Sequence, residues 1–274
     1  GVLLALCLPP SSPTWMVVIG SVVAMALGKH VFGGLGNNPF NPALVARVFL
    51  LISFPTQMIT WTPPVGKVTE TANDRAQAYS QRMAAQGIEG ATYATPLGLL
   101  KEAQRDGTSA EAVAEIRAEV ARAYPVSSLF LGRVGGSLGE VSALALLVGG
   151  AVLLRLRIIT WHIPVSFVAT TAAVTGLAWT WRPALHADPL VHVLSGGLLL
   201  GAIFMATDPV TCPMSQPGQI VFGTGCGLLT AVIRLWGGYP EGVAFAILIM
   251  NGLTPLIDAS TRPRRFGERR GRSS

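Results

Sequence analysis

The residues most suggestive of chemistry lie in one short run, Glu89-Gly90-Ala91-Thr92-Tyr93-Ala94-Thr95-Pro96-Leu97. Proline lacks a backbone N–H but fits the first helical turn, and it steers the residue before it away from the α region. Thr95 is therefore a natural N-cap and Pro96 the first helical residue of a helix running through Leu97 and Leu100 towards Arg105, with Asp106-Gly107 as its stop. A phosphate esterified to the Thr95 hydroxyl would sit at the positive end of that helix, beside unpaired N–H groups. Taken alone, Thr-Pro is also an ordinary helix start. Thr92, in the literal Gly90-Ala91-Thr92, has no helix N-terminus of its own, because Pro96 disfavours a helix passing through Thr95.

Other polar residues stand beside apolar runs. Glu140 begins one of them, where a carboxylate either stabilises a helix N-terminus or serves an ion pathway. Asn37, Asn38 and Asn41 lie in a Gly/Pro-interrupted approach to another, a pattern that marks broken helices in transporters and equally describes plain turn chemistry. Glu140, Asn37 and Asn41 are the ion-pathway candidates. Asp208, before Pro209, and Asp258 read as loop or turn residues. His192 and Ser195 fall within an apolar run, and His30 and His162 lie near the ends of others, too far apart for a metal constellation. Cys7, Cys212 and Cys226 show no C-x-x-C spacing and read as small buried residues, so neither zinc nor an iron–sulfur cluster is expected. No Walker loop, dinucleotide fingerprint or nucleophile elbow appears. No catalytic residue is therefore assigned, and NADH chemistry is expected to belong to other chains.

What positions these residues is a membrane-like chain. Half of its 274 residues are hydrophobic, 12% are charged and the mean hydropathy is +0.51, which a water-facing skin rarely allows. Of the 34 Asp, Glu, Lys and Arg residues, 16 lie between Lys67 and Arg133 and six are arginines in the last thirteen positions. The net charge of +6 does not indicate nucleic acid, because the basic residues sit at helix ends and in the tail rather than among stacking aromatics. Apolar runs predict seven spans: Thr14–Gly28, Ala43–Ile59, Gly139–Leu154, Ile163–Trp181, Leu190–Ala206, Gly218–Leu235 and Gly242–Ile257. The run from Val2 to Leu8 reads as the end of an eighth whose start is missing, not as a signal peptide. Several spans are nearer sixteen residues than the ~20 a bilayer asks for, and Trp15, Trp61, Trp161, Trp181, Trp236 and Tyr239 serve as interface anchors.

Placing the arginine-rich tail in the cytoplasm and counting back puts Arg155, Arg157 and Lys29 inside as well, as the positive-inside rule expects. The long loop then lies in the periplasm. It is expected to be a small folded domain, with one helix capped by Asn73 and another opened by Thr108 and Glu111, whose Val113, Ile116, Val120 and Tyr124 share a face. The expected organisation is all-α: membrane helices over 1–61, a helical periplasmic domain over 62–138, membrane helices over 139–258 and a basic cytoplasmic tail over 259–274.

Four longer motifs narrow the class: Gly33-Gly34-Leu35-Gly36-Asn37-Asn38-Pro39-Phe40-Asn41-Pro42-Ala43, Gly139-Glu140-Val141-Ser142-Ala143-Leu144, Met205-Ala206-Thr207-Asp208-Pro209-Val210-Thr211 and Asn251-Gly252-Leu253-Thr254-Pro255-Leu256-Ile257-Asp258. In these the chain resembles, from Leu3 to Gly267, the family joining the RnfD component of Rnf ion-translocating complexes with the NqrB component of the sodium-pumping NADH:quinone oxidoreductase. Pro96-Leu97 and the short tail look more like the Rnf branch. The resemblance implies about ten membrane helices in the full family and FMN bound by a phosphoester to a threonine in the motif acid-x-x-[Ser/Thr]-x-Ala-Thr, matched here by Glu89, Thr92, Ala94 and Thr95, with Pro96 following. Tyr93 departs from the small residue usual at its place. It further implies a flavin transferase acting from FAD, a second, non-covalent flavin (riboflavin), and a complex of membrane, flavin and iron–sulfur subunits in the bacterial inner membrane that couples ferredoxin and NAD redox chemistry to Na+ or H+ movement. The rival reading is a non-redox channel or solute transporter, which the broken-helix pattern fits equally well.

Overall fold

The computed structural model describes residues 1–58, 97–98, 118, 120–121, 124–132, 134–183, 185–237 and 241–262. Among these, every regular element is helical. In chain order they are α1 (Val2–Leu6), α2 (Thr14–Ala26), α3 (Pro42–Ser53), α4 (Pro55–Met58), α5 (Val126–Leu131), α6 (Ala143–Arg155), α7 (His162–Trp181), α8 (Pro189–Leu194), α9 (Leu198–Leu200), α10 (Gln216–Trp236) and α11 (Val243–Ser260), with a 3-10 turn at His30–Phe32 and a π-helical turn at Gly201–Met205. Among the described residues, four stretches are long and apolar enough to cross a membrane: Thr14–Phe32, His162–Trp181, Gln216–Trp236 and Val243–Ser260. The expected loop helices after Asn73 and Thr108 lie largely outside the described residues.

Two expected spans are interrupted. The run predicted over Ala43–Ile59 ends its helix at Ser53, because Phe54 precedes Pro55 and takes φ −134°, ψ 59°. The run predicted over Leu190–Ala206 is not one helix. It stops at Leu194, turns through extended Ser195 and left-handed Gly196 (φ 68°), and resumes at Leu198.

The membrane core forms where small residues let helices approach. On α10, Gly227 faces α7 so closely that a Cβ there would stand 2.6 Å from the Phe167 carbonyl, and the Thr171 hydroxyl donates to the Gly227 carbonyl at 3.3 Å. Phe167, Phe222, Leu198, Leu200, Met205 and Ile247 are buried in one cluster, which wraps the broken segment. A second cluster joins α1, α2 and α3 through Leu4, Leu8, Met16 and Leu50.

Candidate functional site

The site grows from the break after α8. Asp188 caps that helix by accepting from Leu190 N at 2.7 Å, and Pro189 occupies its first turn. A helix that stops inside the protein leaves carbonyls without intrahelical donors. Arg234, from the last turn of α10 and only 3% exposed, supplies them: Nη1 donates to the His192 carbonyl and Nη2 to the Ser195 carbonyl at 3.2 Å. The guanidinium thus holds the break in shape from a neighbouring helix.

Three more charged groups gather there. Arg47, 8% exposed on α3, donates from Nη2 to Glu241 Oε2 at 2.5 Å and stands 4.0 Å from Glu140 Oε2. Glu140 accepts from Ser137 N through Oε1 at 2.8 Å, and the helix that follows it, α6, is capped instead by Ser142. A Cβ at Gly197 would lie 3.2 Å from Glu140 Oε2 and 3.6 Å from Arg47 Nη1, so the bare backbone of the break is what lets these groups converge. Two arginines and two glutamates balance in formal charge. Burial, with Glu140 beside it, pushes the Glu241 carboxyl up to about 7 despite the opposing pull of Arg47 and Arg234. Leu97 is buried against the same place, its Cδ1 3.5 Å from the position a Cβ on Gly196 would take. Val120 and Tyr124 pack on Ala187 and Val191, the latter on α8.

A second polar station closes the far end of the broken segment. Asn41 caps α3, accepting from Ala43 N at 3.0 Å, while its Nδ2 donates to the Met205 carbonyl at 3.3 Å. With its amide oriented to satisfy both ends, Asn251 of α11 donates to the Thr211 and Ile247 carbonyls at 3.3 Å and accepts from Asn41 N at 3.2 Å. Polar groups therefore line the segment at Gly196 and again at Met205, roughly 13 Å apart at the ~1.5 Å helical rise per residue.

A profile described as the NQR2, RnfD, RnfE family matches residues 1–267. The chain belongs to that family. Proteins named as the D-type subunit of an ion-translocating oxidoreductase complex are close relatives: that of Stutzerimonas stutzeri is 47% identical over 268 residues, covering 97% of this chain and 74% of the relative. The proteins of the same name from Escherichia fergusonii and Salmonella paratyphi B are 42% and 44% identical, each alignment covering 99% of this chain and 77% of the relative.

Within this family member, Glu140 and Asn41 lie at opposite ends of the same broken segment and do not meet. Asn37 is elsewhere, exposed in the glycine turn with its amide donating to the Gly33 carbonyl at 3.5 Å. Glu89, Thr92, Ala94, Thr95 and Pro96 lie outside the described residues. Sequence reasoning missed Arg47, Glu241 and the role of Arg234. The available signal was an arginine inside an apolar run, since an ionisable residue in a membrane segment marks function or a buried partner by default. At Asn37–Asn41 the sequence pattern allows a broken helix or plain turn chemistry; Asn37 lies in a glycine turn, and the helix break is at Ser195-Gly196-Gly197.

Proposed function

We propose that this chain is the electron-transfer subunit of an ion-translocating oxidoreductase complex of the bacterial inner membrane, carrying FMN as a phosphoester on Thr95. The match to the family over residues 1–267, together with relatives bearing the complex-subunit name, carries this reading. In it the chain crosses the membrane eight times, 62–138 is periplasmic and the tail over 259–274 is cytoplasmic. Other Rnf subunits supply the NADH and ferredoxin sites, a flavin transferase installs the cofactor, and the redox reaction drives Na+ or H+.

Bound flavin would supply electron transfer; the chain would supply position. The Thr95 hydroxyl offers the ester oxygen. Leu97 and Gly98 are helical, as a helix opened by Pro96 requires, and Leu97 is buried beside the break. A tether there raises the local concentration of the flavin in a compartment where a dissociable one would be lost. A second, non-covalent riboflavin among the membrane helices belongs to the same reading, although the cavity of about 20 Å³ beside Glu140 is too small to hold it. Glu140 and Asn41, at the two polar stations, are the chain's candidates for an ion path, with Asn37 at its approach.

The test is expression of Thr95→Ala and Thr92→Ala with the flavin transferase, followed by denaturing gels and peptide mass spectrometry. Thr95→Ala should abolish covalent flavin fluorescence, and Thr92→Ala should retain part of it unless the transferase reads Thr92. A flavin peptide mapping to Thr92 would move the attachment site. A wild-type chain with no flavin at all would favour the non-redox transporter.

A further inference from the structure

We propose that the turn joining α6 to α7, from Arg155 to Trp161, binds the phosphate headgroup of an anionic phospholipid. The inference rests on the chain's membrane helices and on neither its flavin nor its ion. α6 ends at Arg155 and the long apolar α7 begins at His162, so the turn lies where helix ends meet the headgroup layer.

The turn mixes charge with apolar surface, as Arg155-Leu156-Arg157-Ile158-Ile159-Thr160-Trp161. Leu156 is 63%, Ile158 61% and Trp161 55% exposed, and both arginines are exposed beside them. At a bilayer surface such side chains are satisfied together: the apolar ones enter the acyl boundary while the guanidinium groups reach phosphate oxygens. A soluble anion would leave the apolar half uncovered.

The two arginines have no counter-charge within the protein. Among the described residues neither guanidinium forms an ion pair, and the sequence holds no Asp or Glu between Glu140 and Asp188. Thr160 donates to Gln219 at 2.6 Å, and Gln219 donates to the Pro213 carbonyl at 3.3 Å, which brings the start of α10 and the loop before it to this end. The carboxylates there are engaged elsewhere. Asp258 accepts from Met214 N at 3.1 Å, and Asp208 from Val210 N at 3.3 Å and from the Thr211 hydroxyl at 3.4 Å. α7 itself starts with no acid in its first turn, so its positive end adds to the field of the arginines.

The backbone also singles out Arg157. Its N–H donates to the Leu154 carbonyl and that of Ile158 to the Leu153 carbonyl, both at 3.0 Å, the paired bonds that close a helix around one left-handed residue. Glycine is the usual occupant of that position. Here it is Arg157, at φ 56° the one non-glycine residue of positive φ among those described. A charge is what arginine supplies there and glycine would not. A planar guanidinium pairs with two phosphate oxygens at once, and a lipid of net negative charge brings no ammonium to repel it.

The experiment uses the purified complex in detergent micelles with photoactivatable phosphatidylglycerol or phosphatidylethanolamine, followed by peptide mapping. In the wild type the phosphatidylglycerol probe should label the segment 155–161, and unlabelled phosphatidylglycerol should compete where phosphatidylethanolamine does not. Each arginine removed should weaken binding about fivefold, the effect of one basic side chain at a charged membrane surface. Arg157→Gly is the decisive variant, because it removes the charge while relieving the left-handed backbone, so weaker labelling cannot come from a damaged turn. Arg157→Lys should retain most of the binding. Equal labelling by the two probes overturns the proposal, as does wild-type affinity in Arg157→Gly and in its combination with Arg155→Gln. Inorganic phosphate competing as well as the lipid would mark a soluble-anion site and overturn it too.

Discussion

Replacing Arg47 by methionine should destabilise the membrane domain by about 3–5 kcal/mol, the usual cost of removing one partner of a buried ion pair. The structure sets that scale. Arg47 is buried, contacts Glu241 at 2.5 Å and faces Glu140 at 4.0 Å. Two charges at the longer distance interact by about 4 kcal/mol at an effective dielectric of 20. Without Arg47 the balanced cluster becomes an arginine facing two carboxylates, one of them uncompensated. Arg47→Met combined with Glu241→Gln restores balance and should recover most of the loss, leaving a coupling of about 2 kcal/mol or more. Reversible unfolding in mixed detergent micelles, followed by tryptophan fluorescence, reads both numbers; a loss of ~4 kcal/mol is about a thousandfold in the unfolding constant. A cost below about 1 kcal/mol, or a double variant no more stable than Arg47→Met, would show that water screens the cluster as it does a surface pair.

Other consequences follow from the same geometry and from the topology. Gly196→Ala should cost about 1–2 kcal/mol through its left-handed backbone. It should cost more than Gly34→Ala, because of these two only Gly196 has a neighbour for the added Cβ to meet, Arg234 Nη2 at 3.1 Å. Parallel melting curves compare the two. Glu241 has its carboxyl raised from 4.5 to about 7, so the folded state holds its proton more tightly than the unfolded chain. Its stabilising contribution is present below about pH 4.5 and is lost as pH rises through about 7, and Glu241→Gln should flatten that part of the stability–pH curve. Reporters fused after Arg270 or within 155–162 should behave as cytoplasmic, and one inserted near Asp106 as periplasmic; a periplasmic tail would reverse the orientation. The chain without partner subunits should neither oxidise NADH nor reduce ferredoxin, which a simple spectrophotometric assay checks.

The sequence by itself determined the class of this protein. Long apolar runs with few charges can be satisfied only by membrane helices, because a bilayer leaves no other partner for backbone N–H and C=O groups. Local chemistry was legible only in part: the apolar run was read through Pro55 to Ile59, whereas Pro55 ends the helix before it, and the caps at Asn41, Ser142 and Asp188 set starts that the apolar runs give only to within a few residues. The long ordered motifs carried the family, which the match over residues 1–267 confirms. Only the tertiary structure decided where the chain's charges meet. Arg47, Glu140, Arg234 and Glu241 are scattered over almost two hundred positions, and periodicity cannot say that they converge on Ser195-Gly196-Gly197. The break itself was hidden because Leu190–Ala206 is apolar apart from His192 and Ser195, and Gly-Gly is tolerated in membrane helices. What makes it a break is Arg234, which satisfies the freed carbonyls from another helix, a long-range contact that no local rule contains.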